Sequence, residues 1–210
     1  MGALLAAGRD ADVYALDAER VLRRYRAGGD VGFEAAIMRH VAEHGYPVPA
    51  VYAAEGPDLV LERLAGPTMA QALLAGDLAI DAGAAMLADL LDRLHAMPAS
   101  DPALSVLHLD LHPQNVLLAA RGPVVIDWRN AAEGPAELDV ALSALILAQL
   151  VVAEAEPKAG ELLDALLLRV GPAAARGIDG ALTRRRRDPN LTDRELAELD
   201  SAAALVHARR

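Results

Sequence analysis

Four residues stand out for the chemistry they could do together: His108, Asp110, Asn115 and Asp127. The run His108-Leu109-Asp110-Leu111-His112-Pro113-Gln114-Asn115 sets an acid and an amide five positions apart. Apolar Val116-Leu117-Leu118 follows, then Gly122-Pro123, then Val124-Val125-Ile126 leading into Asp127-Trp128. Three oxygen-bearing side chains thus stand at the ends of two short strands around one hairpin. Phosphoryl transfer needs such a set. One carboxylate orients and deprotonates the accepting hydroxyl, while a second carboxylate and an amide oxygen hold Mg²⁺ against the phosphates. Mg²⁺ keeps several waters, so Asn115 and Asp127 suffice as protein ligands. Any one of these residues alone is ordinary turn chemistry; their joint spacing between apolar strands is what is specific. A second reading stays open. His108, Asp110 and His112 alternate, and on an extended segment they would share a face as Zn²⁺ ligands of a metal-dependent hydrolase. Further histidine ligands are scarce, because His40, His44, His95 and His207 fall in helical patterns.

The elements that must position these residues change along the chain. Ala11 to Leu16 and Arg20 to Tyr25 read as a hairpin of strands linked by Asp17-Ala18-Glu19. A helix is expected from Val31 to Glu43, with Phe33, Ile37 and Val41 at spacing four, stopped by Gly45, Pro47 and Pro49. Val48 to Ala53 and Leu59 to Leu64 read as two more strands. From Gly66 onward helices dominate: Thr68 to Leu74, Asp81 to Met97, Ala136 to Ala153, Gly160 to Val170 and Asp193 to His207. Met86, Leu87, Leu90, Leu91 and Leu94 form a core-facing stripe. Thr192 with Glu195 reads as a capping box. Short strands at Val106–His108, Val116–Leu118 and Val124–Ile126 interrupt the helices. Arg184 to Arg187 reads as a solvated turn before the last helix.

Of the 210 residues, 54% are hydrophobic and only 3% aromatic, so the core is Ala, Leu and Val. The chain has no cysteine, which excludes disulfides and thiolate metal sites. The net charge of −10 argues against a nucleic-acid partner. The N-terminal run lacks the features of a signal peptide, and the most apolar stretch, Val140 to Val152, is too short to span a bilayer. A cytoplasmic protein with no membrane partner is expected. Nineteen of the basic residues are Arg and one is Lys158, so Arg is expected at sites that elsewhere hold Lys.

The segment His108 to Asp127 resembles the His-x-Asp-x-x-x-x-Asn catalytic loop and metal-binding Asp of the protein-kinase-like fold. It is closest to the aminoglycoside phosphotransferase and choline kinase-like branch, where His-x-Asp-x-His-Pro-x-Asn is followed by Ile-Asp-Trp. The resemblance implies an α+β, bilobal, protein-kinase-like fold. A small antiparallel β-sheet lobe with one helix, residues 1–64, would bind nucleotide. A mainly helical lobe, residues 65–210, would carry the catalytic loop and the acceptor site. It implies Asp110 as catalytic base, Asn115 and Asp127 as Mg²⁺ ligands, and His112 near the transferring phosphate. His108 would support the loop, and Asp139 would brace it from the following helix. In the first lobe, Glu34 would pair with a basic residue on the third strand, here Arg23 rather than Arg24. Gly8 would shape the turn over the phosphates. Asp10 and Asp12 flank that turn and would repel phosphates unless turned aside. Glu62-Arg63-Leu64 would present backbone atoms of Glu62 and Leu64 to a purine.

The resemblance implies a small-molecule kinase using Mg-ATP or Mg-GTP. No long activation loop follows Asp127, so the acceptor is expected to be a small hydroxyl compound rather than a peptide. Glu133, Glu137, Glu154 and Glu156 are the carboxylates that could face a cationic acceptor, and they are few for a polycationic antibiotic. Besides the hydrolase, one further alternative follows from the single glycine and the Arg: a nucleotide-binding, pseudokinase-like regulator.

Overall fold

The computed structural model describes residues 2–209. They form two compact units. The first comprises Met1–Pro67 and Leu117–Ala131; the second comprises Thr68–Val116 and Ala132–Arg210. The first unit therefore runs three residues past the expected division at 64 and takes back a later hairpin.

The first unit is built on a five-stranded antiparallel sheet in the order β1-β2-β3-β5-β4. Its strands are β1 (Leu4–Ala7), β2 (Ala11–Ala15), β3 (Arg20–Tyr25), β4 (Val51–Glu55) and β5 (Asp58–Glu62). The β2–β3 turn is closed by Asp17, whose Oδ1 accepts from the Glu19 and Arg20 amides. Helix α1 (Gly32–Glu43) connects β3 to β4 and packs beside β4. Its buried face is Glu34, Ala35, Met38 and Val41. The expected face is thus rotated: Phe33 is 64% exposed. The rotation turns Glu34 inward, where Arg23 and Tyr25 receive it.

The second unit is helical. Its helices are α2 (Met69–Ala75), α3 (Ile80–His95), α4 (Ala136–Val152), α5 (Ala159–Val170), α6 (Ala173–Arg185) and α7 (Asp193–Ala208). Capping boxes start α2 at Thr68/Gln71 and α7 at Thr192/Glu195, and Gly76 ends α2 at φ 83°. α4 is apolar on all sides and buried from Asp139 to Gln149, the mark of a central helix. Helices α3, α5, α6 and α7 pack around it. Among the described residues no helix is long and apolar enough to cross a membrane. A two-stranded ladder pairs β6 (Ser105–Leu107) with β9 (Ala132–Gly134). The hairpin of β7 (Val116–Ala119) and β8 (Gly122–Val125) belongs to the first unit from Leu117 onward.

Arg184 to Arg187 is not a free turn. Arg184 and Arg185 end α6, Arg185 bonds Gln149 and Asp188, and Arg186 pairs with Asp200. Buried Gln149 needs a partner and draws one arginine in.

Candidate active site

In the second unit, β6 delivers the chain into the loop at His108, which is fully buried. Leu109 then takes a left-handed conformation, φ 64°. A non-glycine residue does this only when its surroundings compensate. The compensation is Asp139 on the first turn of α4. Its Oδ1 accepts from the Leu109 amide at 2.7 Å and its Oδ2 from the His108 amide at 3.0 Å. Asp139 is itself fully buried, and His95 Nε2 lies 3.0 Å from the same Oδ2. One carboxylate thus fixes two successive amides, and with them the backbone that carries Asp110.

Asp110 is partly exposed, its side chain at 23%. Asn115 is buried on a short 3-10 turn, Pro113–Asn115, that His112 caps by accepting from the Gln114 amide. The Asn115 Nδ2 donates to the Asp110 carbonyl at 2.8 Å and lies 3.2 Å from its Oδ2. The amide nitrogen is therefore spent within the loop, and Oδ1 is the side-chain atom that could hold a cation. His112 Nε2 stands 3.8 Å from Asp110 Oδ2 and 3.2 Å from Asn115 Nδ2. These three residues form one polar group. The left-handed Leu109 breaks the extended alternation that the zinc reading requires. Among the described residues no group of three or more His, Cys, Asp or Glu is placed to hold a metal ion.

In the first unit, Arg23 Nη1 reaches Glu34 Oε1 at 3.2 Å, while Nη2 pairs with Asp127. The Tyr25 hydroxyl donates to the other Glu34 oxygen at 2.7 Å. Burial pushes the Glu34 carboxyl above its ordinary value, with Arg23 and the Tyr25 hydroxyl opposing. Burial pulls the Arg23 guanidinium down, but the Asp127 and Glu34 charges outweigh it and the net direction is up. Arg23 stays charged. Arg24, on the opposite strand face, pairs with Asp58 instead. Asp127 is also left-handed, φ 66°. The turn around it is fixed by Trp128, fully buried, whose indole N–H donates to the Val125 carbonyl at 3.0 Å and whose ring meets Tyr46 edge-on at 5.6 Å.

Gly8 lies in the turn between β1 and β2, its amide bonded to the Ala11 carbonyl at 2.9 Å. The two flanking acids are both answered by arginines: Asp12 by Arg26 and Asp10 by Arg129. Glu62 ends β5, with its amide bonded to Ala50 and its carboxylate to Arg121. Leu64 follows it, half-buried. Of the four candidate acceptor carboxylates, Glu133 accepts from the Ser100 amide and hydroxyl, and Glu137 pairs with Arg176. His95, Tyr25, Arg26 and Arg129 are the participants that sequence reasoning missed. His95 left a signal: it extends the buried Leu87, Leu91 stripe of α3 by one more step of four, and a polar residue on a core stripe needs a partner.

The chain matches the phosphotransferase enzyme family over residues 2–105 and 67–178. It belongs to that family. Among curated proteins none matches this phosphotransferase-family chain. Solved structures share its fold, which is protein-kinase-like, α+β and bilobal. A choline/ethanolamine kinase family protein from Mesorhizobium loti superposes with a TM-score of 0.63 at 16% identity, covering 100% of this chain and 88% of that one. The gentamicin complex of APH(2")-IIa gives 0.62 at 14% identity, covering 96% and 90%. A thermostable mutant of aminoglycoside phosphotransferase APH(4)-Ia, in a ternary complex with AMP-PNP and hygromycin B, gives 0.61 at 16% identity, covering 99% and 93%.

Proposed function

We propose that this protein is a small-molecule kinase that moves the γ-phosphoryl group of Mg-ATP or Mg-GTP to a hydroxyl of a small acceptor. The observation that carries the reading is the Asp139 carboxylate holding the His108 and Leu109 amides, which locks the strained backbone beneath Asp110. Strain of this kind is kept where a side chain must be aimed. Asp110 then orients the acceptor hydroxyl and takes its proton. The Asn115 amide oxygen and the Asp127 carboxylate are each oxygen donors of the kind Mg²⁺ selects, and these residues would hold it. When bound, Mg²⁺ supplies charge neutralisation at the phosphates. Arg23 is a permanent cation, pre-set by Glu34, for a phosphate oxygen. His112 stands beside Asp110 for the transferring group. Gly8 shapes the turn over the phosphates, and the chain from Glu62 to Leu64 offers backbone atoms to the purine.

The acceptor reading is a neutral or singly charged hydroxyl compound. Two of the four candidate acceptor carboxylates, Glu133 and Glu137, already answer Ser100 and Arg176, which does not suit a polycation. Relatives of the fold bind gentamicin or hygromycin B; here amino alcohols and sugars are the first acceptors to try. Function in the cytoplasm as a kinase of metabolites follows from the same reading. The test is transfer of γ-phosphate from Mg-ATP to a panel of amino alcohols, sugars, nucleosides and aminoglycosides. Tight Mg-ATP binding with no transfer to any of them would favour the pseudokinase-like regulator instead.

A further inference from the structure

The turn between β1 and β2 has a single glycine, yet its backbone is held in one orientation. Arg26, the first residue after β3, does the holding. Its Nη2 donates to the Gly8 carbonyl at 2.7 Å and its Nη1 to the Arg9 carbonyl at 2.9 Å. Its own amide donates to the Asp10 carbonyl at 3.0 Å. Three successive carbonyls of the turn thus end on one residue. The guanidinium also pairs with Asp12, at 2.6 Å from Nη2 and 3.1 Å from Nε.

The described peptide bonds are all trans. In a trans peptide the carbonyl and the following N–H point to opposite sides. With the Gly8 and Arg9 carbonyls turned onto the Arg26 guanidinium, the N–H groups of Arg9 and Asp10 point to the other side. Successive N–H groups turned the same way make a concavity that attracts anions. A planar fork with five donors can take two carbonyls and a carboxylate at once; a lysine ammonium cannot span that arrangement. Asp12, whose charge would oppose an incoming anion, is answered by the same guanidinium, and Asp10 is paired with Arg129 at 2.9 Å.

We propose that Arg26 is a positioning residue for nucleotide phosphates: by clamping the Gly8 and Arg9 carbonyls and Asp12, it presents the amides of the turn to the phosphate chain. This rests on the nucleotide reading above. It assigns to an arginine the backbone control that a glycine-poor turn lacks.

The test compares ADP with adenosine, by calorimetry in Mg²⁺ buffer, for wild type, Arg26→Ala and Arg26→Lys. Adenosine carries no phosphate. Arg26→Ala should weaken ADP binding about tenfold and leave adenosine within about twofold. Arg26→Lys keeps the charge without the fork and should lose most of the same affinity. Arg26 is exposed, so both variants should stay folded, checked by a cooperative thermal melt. Equal loss for ADP and adenosine would overturn the proposal, since the effect would then be general. Unchanged ADP binding in either variant would also overturn it. A wild type that binds neither ligand would overturn the nucleotide reading itself, and the clamp with it.

Discussion

Asp139 lies too deep to meet a substrate, and what it holds is the backbone of the loop. A buried carboxylate that accepts two amides makes charge-assisted bonds of about 1.5–3 kcal/mol each. Leu109 in the left-handed region costs about 1–2 kcal/mol. The bonds outweigh the strain, so the loop holds its shape without ligand. His95 sets which way the carboxylate faces. His95→Ala should lower stability by about 1–2 kcal/mol in urea unfolding and reduce kcat, with nucleotide KM within about twofold. His95→Gln, which can still donate to Asp139, should restore most of both. Equal activity in His95→Ala would remove His95 from the account. Glu34 gives a pH test. Its folded-state value is raised above the ordinary 4.5, so the folded protein holds that proton more tightly than the unfolded chain. The resulting stability is fully present below pH 4.5 and is lost as pH rises through the folded value. Glutamine matches the protonated carboxyl, so wild type should lose stability relative to Glu34→Gln as pH rises above 4.5, read from urea unfolding at each pH. A flat difference would contradict the burial that raises Glu34.

Two glycines decide how elements meet. A Cβ on Gly66 would lie 2.2 Å from the Leu118 carbonyl oxygen, where φ is 140°. Gly66→Ala should cost about 2–4 kcal/mol, by clash and by backbone strain together. Gly177 lies inside α6, where Ala would gain about 1 kcal/mol of helix propensity. There, however, a Cβ would come 2.0 Å from the Glu137 carbonyl oxygen. The clash wins, and Gly177→Ala should destabilise by about 1–3 kcal/mol in thermal or urea unfolding; a stabilised variant would show that α6 can move aside. The same glycines explain what the sequence hid. α6 is not among the expected helices: Gly177 and Gly180 lower its helix propensity, although the glycines serve its approach to α4. β1 is four exposed residues on a sheet edge, without the alternation that marks a strand. The face of α1 is misread because apolar spacing alone leaves out Glu34, although the resemblance pairs Glu34 with Arg23; that pairing and the Tyr25 hydroxyl are what the inward face serves. The strands β2, β3 and β5, the stripe of α3 and the apolar α4 were legible because periodicity alone determines them. His108 to Asp127 stood out for another reason: polar residues stand between apolar strands that would otherwise exclude them. Arg26 and Arg129 were not legible, since pairing across strands leaves no trace in local spacing.

For the whole molecule, membership of the phosphotransferase enzyme family and the shared fold bound the chemistry to phosphotransfer. Nucleotide binding should raise the melting temperature through linkage, by about 2.7 kcal/mol of stabilisation at a hundredfold excess over Kd. That effect should persist in Asp110→Ala, because Asp110 is assigned to the acceptor and not to the nucleotide. The central claim is that Asp110 performs the transfer. Its most direct test follows labelled γ-phosphate from Mg-ATP into the hydroxyl panel, for wild type and Asp110→Ala at matched nucleotide occupancy. The account predicts a phosphorylated product with wild type and a rate lower by about 10²–10⁴ in the variant. Transfer at the wild-type rate by Asp110→Ala would contradict it.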